Sequence, residues 1–387
     1  MRLRPHVLAP LLALVLAAAA AAAADDTGYF VVRLGQDTTF AERYTRTPSR
    51  LVVEHVGRAP RVLQRRFTYE YEKGEITKVG MVVTAPGSTT PTQTIEGTFA
   101  PDSARMRIQS GSAPVQNVAL VVPPGTLVIP TSSPWAGYEG LLMRFVKEKR
   151  DSLRTTLYLL GGNSTFWLSL QRLGPDSIAI SNGRNDRYHV RVDAEGRILG
   201  VSSVAGTARY SVERVASLDL AALAAGFAAR EQAGTGIGTL SPRDSVVTTV
   251  AGAALWIDYG RPSRRGRTIF GDLVPYGQVW RTGANAATQF RTDKALDFGG
   301  TVVPAGFYTL WTVPAPGGWT LRFNSETGQW GTAHKPDKDL YTVNMKVTSL
   351  PAVVERFAIS VDPSAQGGTL NMDWDTTRAS AAFIVKP

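Results

Sequence analysis

Five arginines, Arg261, Arg264, Arg265, Arg267 and Arg281, crowd the segment from Asp258 to Thr288, with Tyr259, Tyr276 and Trp280 interleaved. Guanidinium groups beside aromatic faces suit recognition of carboxylate, phosphate or sulfate, because a planar fork of donors pairs with the anion while the ring stacks on the rest of the molecule. Asn285 adds an amide that can donate and accept, and the glycines of the segment let backbone N–H groups come close to an anion. A second role is open to the same residues: arginines in long loops hydrogen-bond carbonyls and pin the loop to a core, and Phe270, Val274, Val279 and Trp280 would then be core. Arg264 and Arg265 read as solvated. Six of the eight tryptophans lie after residue 240. An exposed indole stacks on a sugar ring, and Trp330, in a Gln-Trp-Gly loop, is the best platform, whereas Trp256 and Trp374 sit in alternating strands and read as core. The candidate ligand-binding set is therefore Arg261, Arg267, Trp280, Arg281, Asn285 and Trp330.

Catalytic templates are scarce. The chain has no G-x-S-x-G, no H-E-x-x-H, no P-loop and no EF-hand loop. It has no cysteine, which removes disulfides, thiol nucleophiles and thiolate metal sites. The four histidines do not cluster, and no metal or cofactor is expected. His55 and His189 alternate with apolar residues and read as surface or pocket-lining groups; His334 reads as an exposed loop residue. Asp373 and Asp375 flank Trp374 on one strand face, a carboxylate pair that reads either as a polar solvent face or as an acid–base or Ca²⁺ site.

These residues sit in a chain of 387 residues, 43% hydrophobic and 19% charged, long enough for two or three domains. Residues 1–24 combine Arg2 and Arg4 with an apolar run from Val7 that ends in Ala22 and Ala24 before Asp25, which reads as a signal peptide cleaved near Ala24. The expected location is the periplasm or the exterior, and no integral membrane protein is expected. The net charge of +10 is carried by 33 Arg and 9 Lys without any long basic run, so nucleic acid is not an expected partner.

Residues 25–215 show short alternating segments such as Tyr29–Arg33, Leu51–His55 and Tyr188–Val192, which predict an antiparallel β domain. One helix is predicted near 133–149, with Ser133 as N-cap, Pro134 at its first position and Trp135, Tyr138, Leu141, Leu142, Phe145 and Val146 on a buried face. A long meander with a central amphipathic helix resembles the curved half-barrel of bacterial lipoprotein carriers; that architecture implies an apolar cavity and a lipid as one possible cargo, although the helix serves equally to complete an ordinary core. Residues 216–240 read as a short Ala-rich helix followed by a Gly-rich linker.

Residues 241–387 carry about nine further strands and no convincing helix, which predicts a β-sandwich. Here Tyr259, Arg261-Pro262, Gly266-Arg267, Ile269-Phe270-Gly271, Leu273 to Gly277 and Val279 to Asn285 resemble the domain of unknown function 2911 family, as do Pro304 to Gly306, Tyr308, Trp319, Asn324, Gln329 to Gly331 and Trp374. Trp311 stands where a smaller aromatic is expected, and the loop around His334 is individual. The resemblance covers about 245–387 and implies a secreted β-rich domain without implying a reaction. The overall expectation is an all-β protein that binds a small anionic or sugar-like ligand through its C-terminal domain. The alternatives are an envelope hydrolase using Asp258 or Asp373 as acid/base, and a purely structural envelope protein.

Overall fold

The computed structural model describes residues 25–130, 134–183, 186–204 and 208–387. The segment read as a signal peptide and the Ser133 cap lie outside them.

The first fifteen strands form one sheet. They are β1 (Asp26–Leu34), β2 (Asp37–Thr47), β3 (Arg50–Gly57), β4 (Leu63–Glu72), β5 (Glu75–Thr84), β6 (Pro91–Ala100), β7 (Ser103–Ser110) and β8 (Gln116–Leu120), then β9 (Leu127–Ile129), β10 (Ser152–Leu159), β11 (Thr165–Gly174), β12 (Ser177–Asn182), β13 (Arg187–Val192), β14 (Ile198–Ser203) and β15 (Tyr210–Val215). The order is β8 back to β1, then β15 back to β9, so the first strand lies in the middle and β8 and β9 are the edges. Period-two alternation builds it: in β7, Ala104, Met106 and Ile108 are buried while Ser103, Arg105 and Arg107 are exposed.

Helix α1 (Trp135–Lys147) buries Trp135, Tyr138, Leu141, Leu142 and Phe145 in the same core as Phe30, Tyr44, Leu168 and Ile180. The helix thus covers the apolar face of the sheet and fills the concavity with side chains. Pro134 stands at its N-cap and supplies no side-chain cap. Instead, the N–H of Ala136 donates at 2.9 Å to Oε1 of Glu42, a fully buried residue of β2. Glu139, also fully buried, accepts at Oε1 from Tyr44 Oη at 2.6 Å and Arg46 Nη1 at 3.1 Å, and at Oε2 from the Ile198 N–H at 2.7 Å and from Arg214 Nη2. A buried carboxylate is tolerated only with such a set of donors. His55 is 2% exposed and packs against Phe40 and Phe67, because it shares the inward face of β3 with Leu51 and Val53. Helix α2 (Leu220–Gln232) packs Ala224 and Phe227 against Val56 and Val62, with Asp219 capping the Ala222 N–H.

Nine strands form the second sheet: β16 (Arg243–Val250), β17 (Ala253–Gly260), β18 (Thr288–Thr292), β19 (Leu296–Asp297), β20 (Val302–Val303), β21 (Gly306–Val313), β22 (Trp319–Asn324), β23 (Asp339–Pro363) and β24 (Gly367–Val385). Their order is β16-β17-β18-β21-β22-β23-β24-β19-β20. The long β23 pairs with β22 through its first part and with β24 over the rest, with register shifts near Val354 and Ala358. These irregularities fold the sheet onto itself. Tyr259 of β17 receives the Ile359 N–H at 3.0 Å on its hydroxyl oxygen, and Trp280 stacks on Trp374 at 5.9 Å, so one hydrogen-bonded sheet supplies both layers around a single core. Trp374 is core, as its alternation predicts. Trp256 is not: Leu255 and Ile257 point inward, and Trp256 lies half-buried on the outer face against Phe307.

Candidate ligand-binding cleft

A cavity of about 860 Å³ opens between the two domains. The C-terminal domain lines it with Arg265, Arg267, Arg281, Asn285 and Trp330; the N-terminal domain contributes Asp186, Arg187, Tyr188 and Tyr210; Thr239 to Ser241 of the connecting segment complete it. Four of the six candidate residues, Arg267, Arg281, Asn285 and Trp330, therefore meet in one place.

Two loops make that meeting. The segment between β17 and β18 bridges the β22–β23 connection through Ala286 and Trp330, with the Gly331 N–H on the Asn285 carbonyl at 3.0 Å and the Ala287 N–H on that of Gln329 at 3.2 Å. Asn285 is left-handed at φ 62°, a conformation its short polar side chain tolerates. A Cβ at Gly331 would lie 2.1 Å from Arg281 Cδ and 2.5 Å from the Asn285 carbonyl oxygen, so glycine is what lets Arg281 lie across this junction. Trp330 emerges from it 57% exposed.

The arginines are not equivalent. Arg267 donates to the carbonyls of Arg264 (2.9 Å), Ser263 (2.7 Å) and Ala208 (3.1 Å). Burial, assisted by the charge of Arg265, pushes its pKa down to about 10. Burial also lowers that of Arg281. Asp258 and Asp272, the two carboxylates of the arginine-rich segment, are held by Arg243 at 3.0 Å and Arg209 at 2.7 Å.

Two members leave the candidate set. Arg261 does not line the cavity; it donates to the Phe357 carbonyl at 3.0 Å and to Asp244 at 2.7 Å, tying β17 to β23 and β16. Trp280 is 5% exposed among Phe270, Phe357 and Trp374, and its indole N–H donates to the Gly283 carbonyl at 3.1 Å. Large aromatics with a satisfied polar atom are core material, and this one offers no face to a ligand.

Arg264 and Arg265 are not solvated. Arg264 pairs with Asp375 at 3.1 Å. Arg265, 7% exposed, donates from Nη1 to Asp37 Oδ2 at 2.6 Å, and its carbonyl accepts the Gln36 N–H at 3.2 Å. A Cβ at Gly35 (φ 61°) would lie 2.2 Å from that carbonyl oxygen, so glycine permits the approach of the two domains. Arg209 adds an ion pair to Asp272 from the other side. Much of the arginine-rich segment is thus a joint. His334 is also not an exposed loop residue: its Nε2 lies 3.0 Å from Asp339, which Arg322 and Asn324 also bind, and its ring lies against Trp311.

The proposed acid/base carboxylates lie outside the cavity. Asp258 is clamped by Arg243, and Asp373 accepts both arms of Arg378 at 2.7 and 2.6 Å. No group of His, Cys, Asp and Glu able to hold a metal ion occurs among the described residues. A groove of about 740 Å³ on the outer face of β4 to β8 has its charges partly paired with one another, Glu70 with Lys78 at 3.2 Å among them.

Arg187, Asp186 and Tyr210 are cleft residues that sequence reasoning missed. An outward arginine at the start of a strand looks like any solvated arginine, and no local signal separates it. The buried Glu42 did leave one, since it shares the face of Phe40 and Tyr44 at period two.

The geometry gives a mostly β chain with a fifteen-stranded sheet, a separate nine-stranded sheet and a cleft lined from both. Residues 241–383 match the model of a family described as "Protein of unknown function (DUF2911)", which bears out the resemblance of the C-terminal motifs. No curated protein matches the chain. A beta-barrel-like protein of domain of unknown function DUF1849 from Brucella abortus is similar at 12% identity and a TM-score of 0.35, over 49% of this chain and 95% of that one. A DUF1089 family protein from Pseudomonas aeruginosa is similar at 12% identity and a TM-score of 0.31, over 42% of this chain and 89% of that one. No helix among the described residues is long and apolar enough to cross a membrane.

Proposed function

We propose that this is an exported binding protein, periplasmic or secreted, that takes a small anionic or sugar-like molecule in the cleft between its domains. The observation that carries the reading is Trp330: a 57% exposed indole inside a cavity, beside the carboxamide of Asn285 and four arginines. Large apolar side chains left exposed in a concave polar setting are the usual anchors of a ligand, with a few polar groups fixing its orientation. Export rests on the N-terminal apolar run with its A-x-A ending and on the absence of cysteine.

A thermal-shift panel of sugar acids, neutral sugars and inorganic anions tests the cleft. A ligand at about 100 times its Kd stabilises the folded state by about 2.7 kcal/mol, a rise of a few degrees. The reading expects at least one such rise and its loss in Trp330→Ala. A shift that persists in Trp330→Ala contradicts it. Intact mass of the exported protein tests the location, with a first residue at or just before Asp25 expected and full-length chain in the membrane fraction contradicting it.

A further inference from the structure

We infer that the charge of the ligand is read by Arg187, across the cleft from Trp330, and that the ligand is a sugar acid: one carboxylate on a hydroxylated ring. This rests on the cleft reading above and deepens it.

The other three cavity arginines are held in the wall. Arg265 pairs with Asp37, Arg267 is fastened to three carbonyls, and Arg281 lies across the junction at Gly331. Arg187 differs from them. It opens β13, is exposed, lines the cavity, and enters no described ion pair or side-chain hydrogen bond. Its carbonyl accepts the Val204 N–H at 2.9 Å, so the backbone is fixed while the guanidinium remains available. A guanidinium fork matches a carboxylate through two parallel hydrogen bonds.

Asp186 decides between anions. It precedes Arg187, lines the same cavity, and uses Oδ2 to accept from Asn182 Nδ2 at 3.1 Å. Among the described residues no donor meets its Oδ1, which can accept from a hydroxyl. The same carboxylate repels a second negative charge on the ligand, so a monocarboxylate is favoured over a phosphate or sulfate dianion. Across the cleft, the Trp330 indole offers a flat surface for the C–H face of a pyranose, and the Asn285 amide and Thr332 hydroxyl can bond its hydroxyl groups. Acid reader and ring platform come from different domains, so neither domain alone holds the complete site.

Calorimetric titration of the full chain with D-glucuronate, D-glucose and inorganic phosphate tests this, using wild type, Arg187→Gln and Trp330→Ala. Glucuronate is expected to bind at least about tenfold more tightly than glucose or phosphate. Arg187→Gln should weaken glucuronate about 10- to 100-fold, the usual worth of a charged hydrogen bond, and glucose much less, with the melting temperature kept. Trp330→Ala should weaken both sugars. Glucose or phosphate binding as tightly as glucuronate, with the binding lost in Trp330→Ala, overturns the ligand class and leaves the cleft standing. Glucuronate affinity unchanged in Arg187→Gln overturns the assignment of Arg187. No binding by any probe, or binding indifferent to Trp330→Ala, overturns the cleft reading itself.

Discussion

Asp37 at the start of β2 accepts a hydrogen bond from Arg265 at 2.6 Å, and its other oxygen accepts from Arg58 at 3.2 Å. One carboxylate therefore joins the first hairpin of the N-terminal sheet to the arginine-rich segment of the C-terminal domain. The guanidinium of Arg58 in turn lies 4.8 Å from the ring centroid of Phe227, which extends the joint to helix α2. The cleft lies beside this joint, with Arg265 in its wall.

Arg265→Ala removes one partner of a largely buried pair. The expected loss is about 2–4 kcal/mol of stability, because Asp37 keeps only part of its compensation. Limited proteolysis should then cut faster within residues 232–240, as the domains separate more often. Urea unfolding and proteolysis together measure this, and wild-type behaviour in both would show that the ion pair does not hold the joint.

Strands and helix α1 were legible in the sequence because period-two and helical spacing report burial directly, as in β7 and along Trp135 to Phe145. The destinations of the arginines were not. The same side chain can end on a carboxylate, as Arg265 does, on carbonyls, as Arg267 does, or in a cavity, as Arg187 does. The choice depends on residues far away in the chain: Arg265 and Asp37 are separated by 228 positions. Trp280 was misplaced for a similar reason. Its neighbours looked like a loop, but that loop supplies Ile269, Leu273 and Val274 to the core and draws the indole in with them.

Glu42 makes the stability depend on pH. Burial pushes its pKa up to about 8 from an ordinary 4.5, so the folded protein keeps a proton that the unfolded chain releases between those values. Its effect on stability is complete below pH 4.5 and turns unfavourable as pH rises toward 8, by about 3–5 kcal/mol in all. Glu42→Gln keeps an oxygen for the Ala136 N–H and should remove this slope. Urea melts at pH 5 and pH 8.5 check it, and equal slopes in the two proteins would contradict it.

His55 acts at the other end of the scale. Burial, with the charge of Arg65, lowers its pKa to about 3 from an ordinary 6.5. The unfolded chain takes up a proton between 6.5 and 3 that the folded protein refuses, so stability is present above pH 6.5 and lost as pH falls through that window. Neither ring nitrogen has a hydrogen-bond partner among the described residues. His55→Leu should therefore make the protein more resistant to acid, raising the melting temperature at pH 4 relative to wild type while changing it less at pH 7. A variant that melts lower by the same amount at both values would show that the imidazole contributes packing alone.

Gly331→Ala tests the junction that presents Trp330. The added methyl group meets Arg281 and the Asn285 carbonyl, and relief requires Arg281 to leave its place or the bridge to open. A loss of about 1–3 kcal/mol is expected, as for overpacking elsewhere. Thermal unfolding measures it, and an unchanged melting temperature would mean that the junction gives way at no cost.

The cleft is most directly tested by fluorine NMR of protein labelled with 5-fluorotryptophan, with Trp330→Phe identifying one resonance among the eight. Trp280, Trp311, Trp319 and Trp374 are buried in the C-terminal domain and serve as internal references. Titration with a sugar acid should move the Trp330 resonance and leave those four in place. A saturable shift of any other tryptophan with Trp330 unmoved would place the binding site elsewhere and contradict the account.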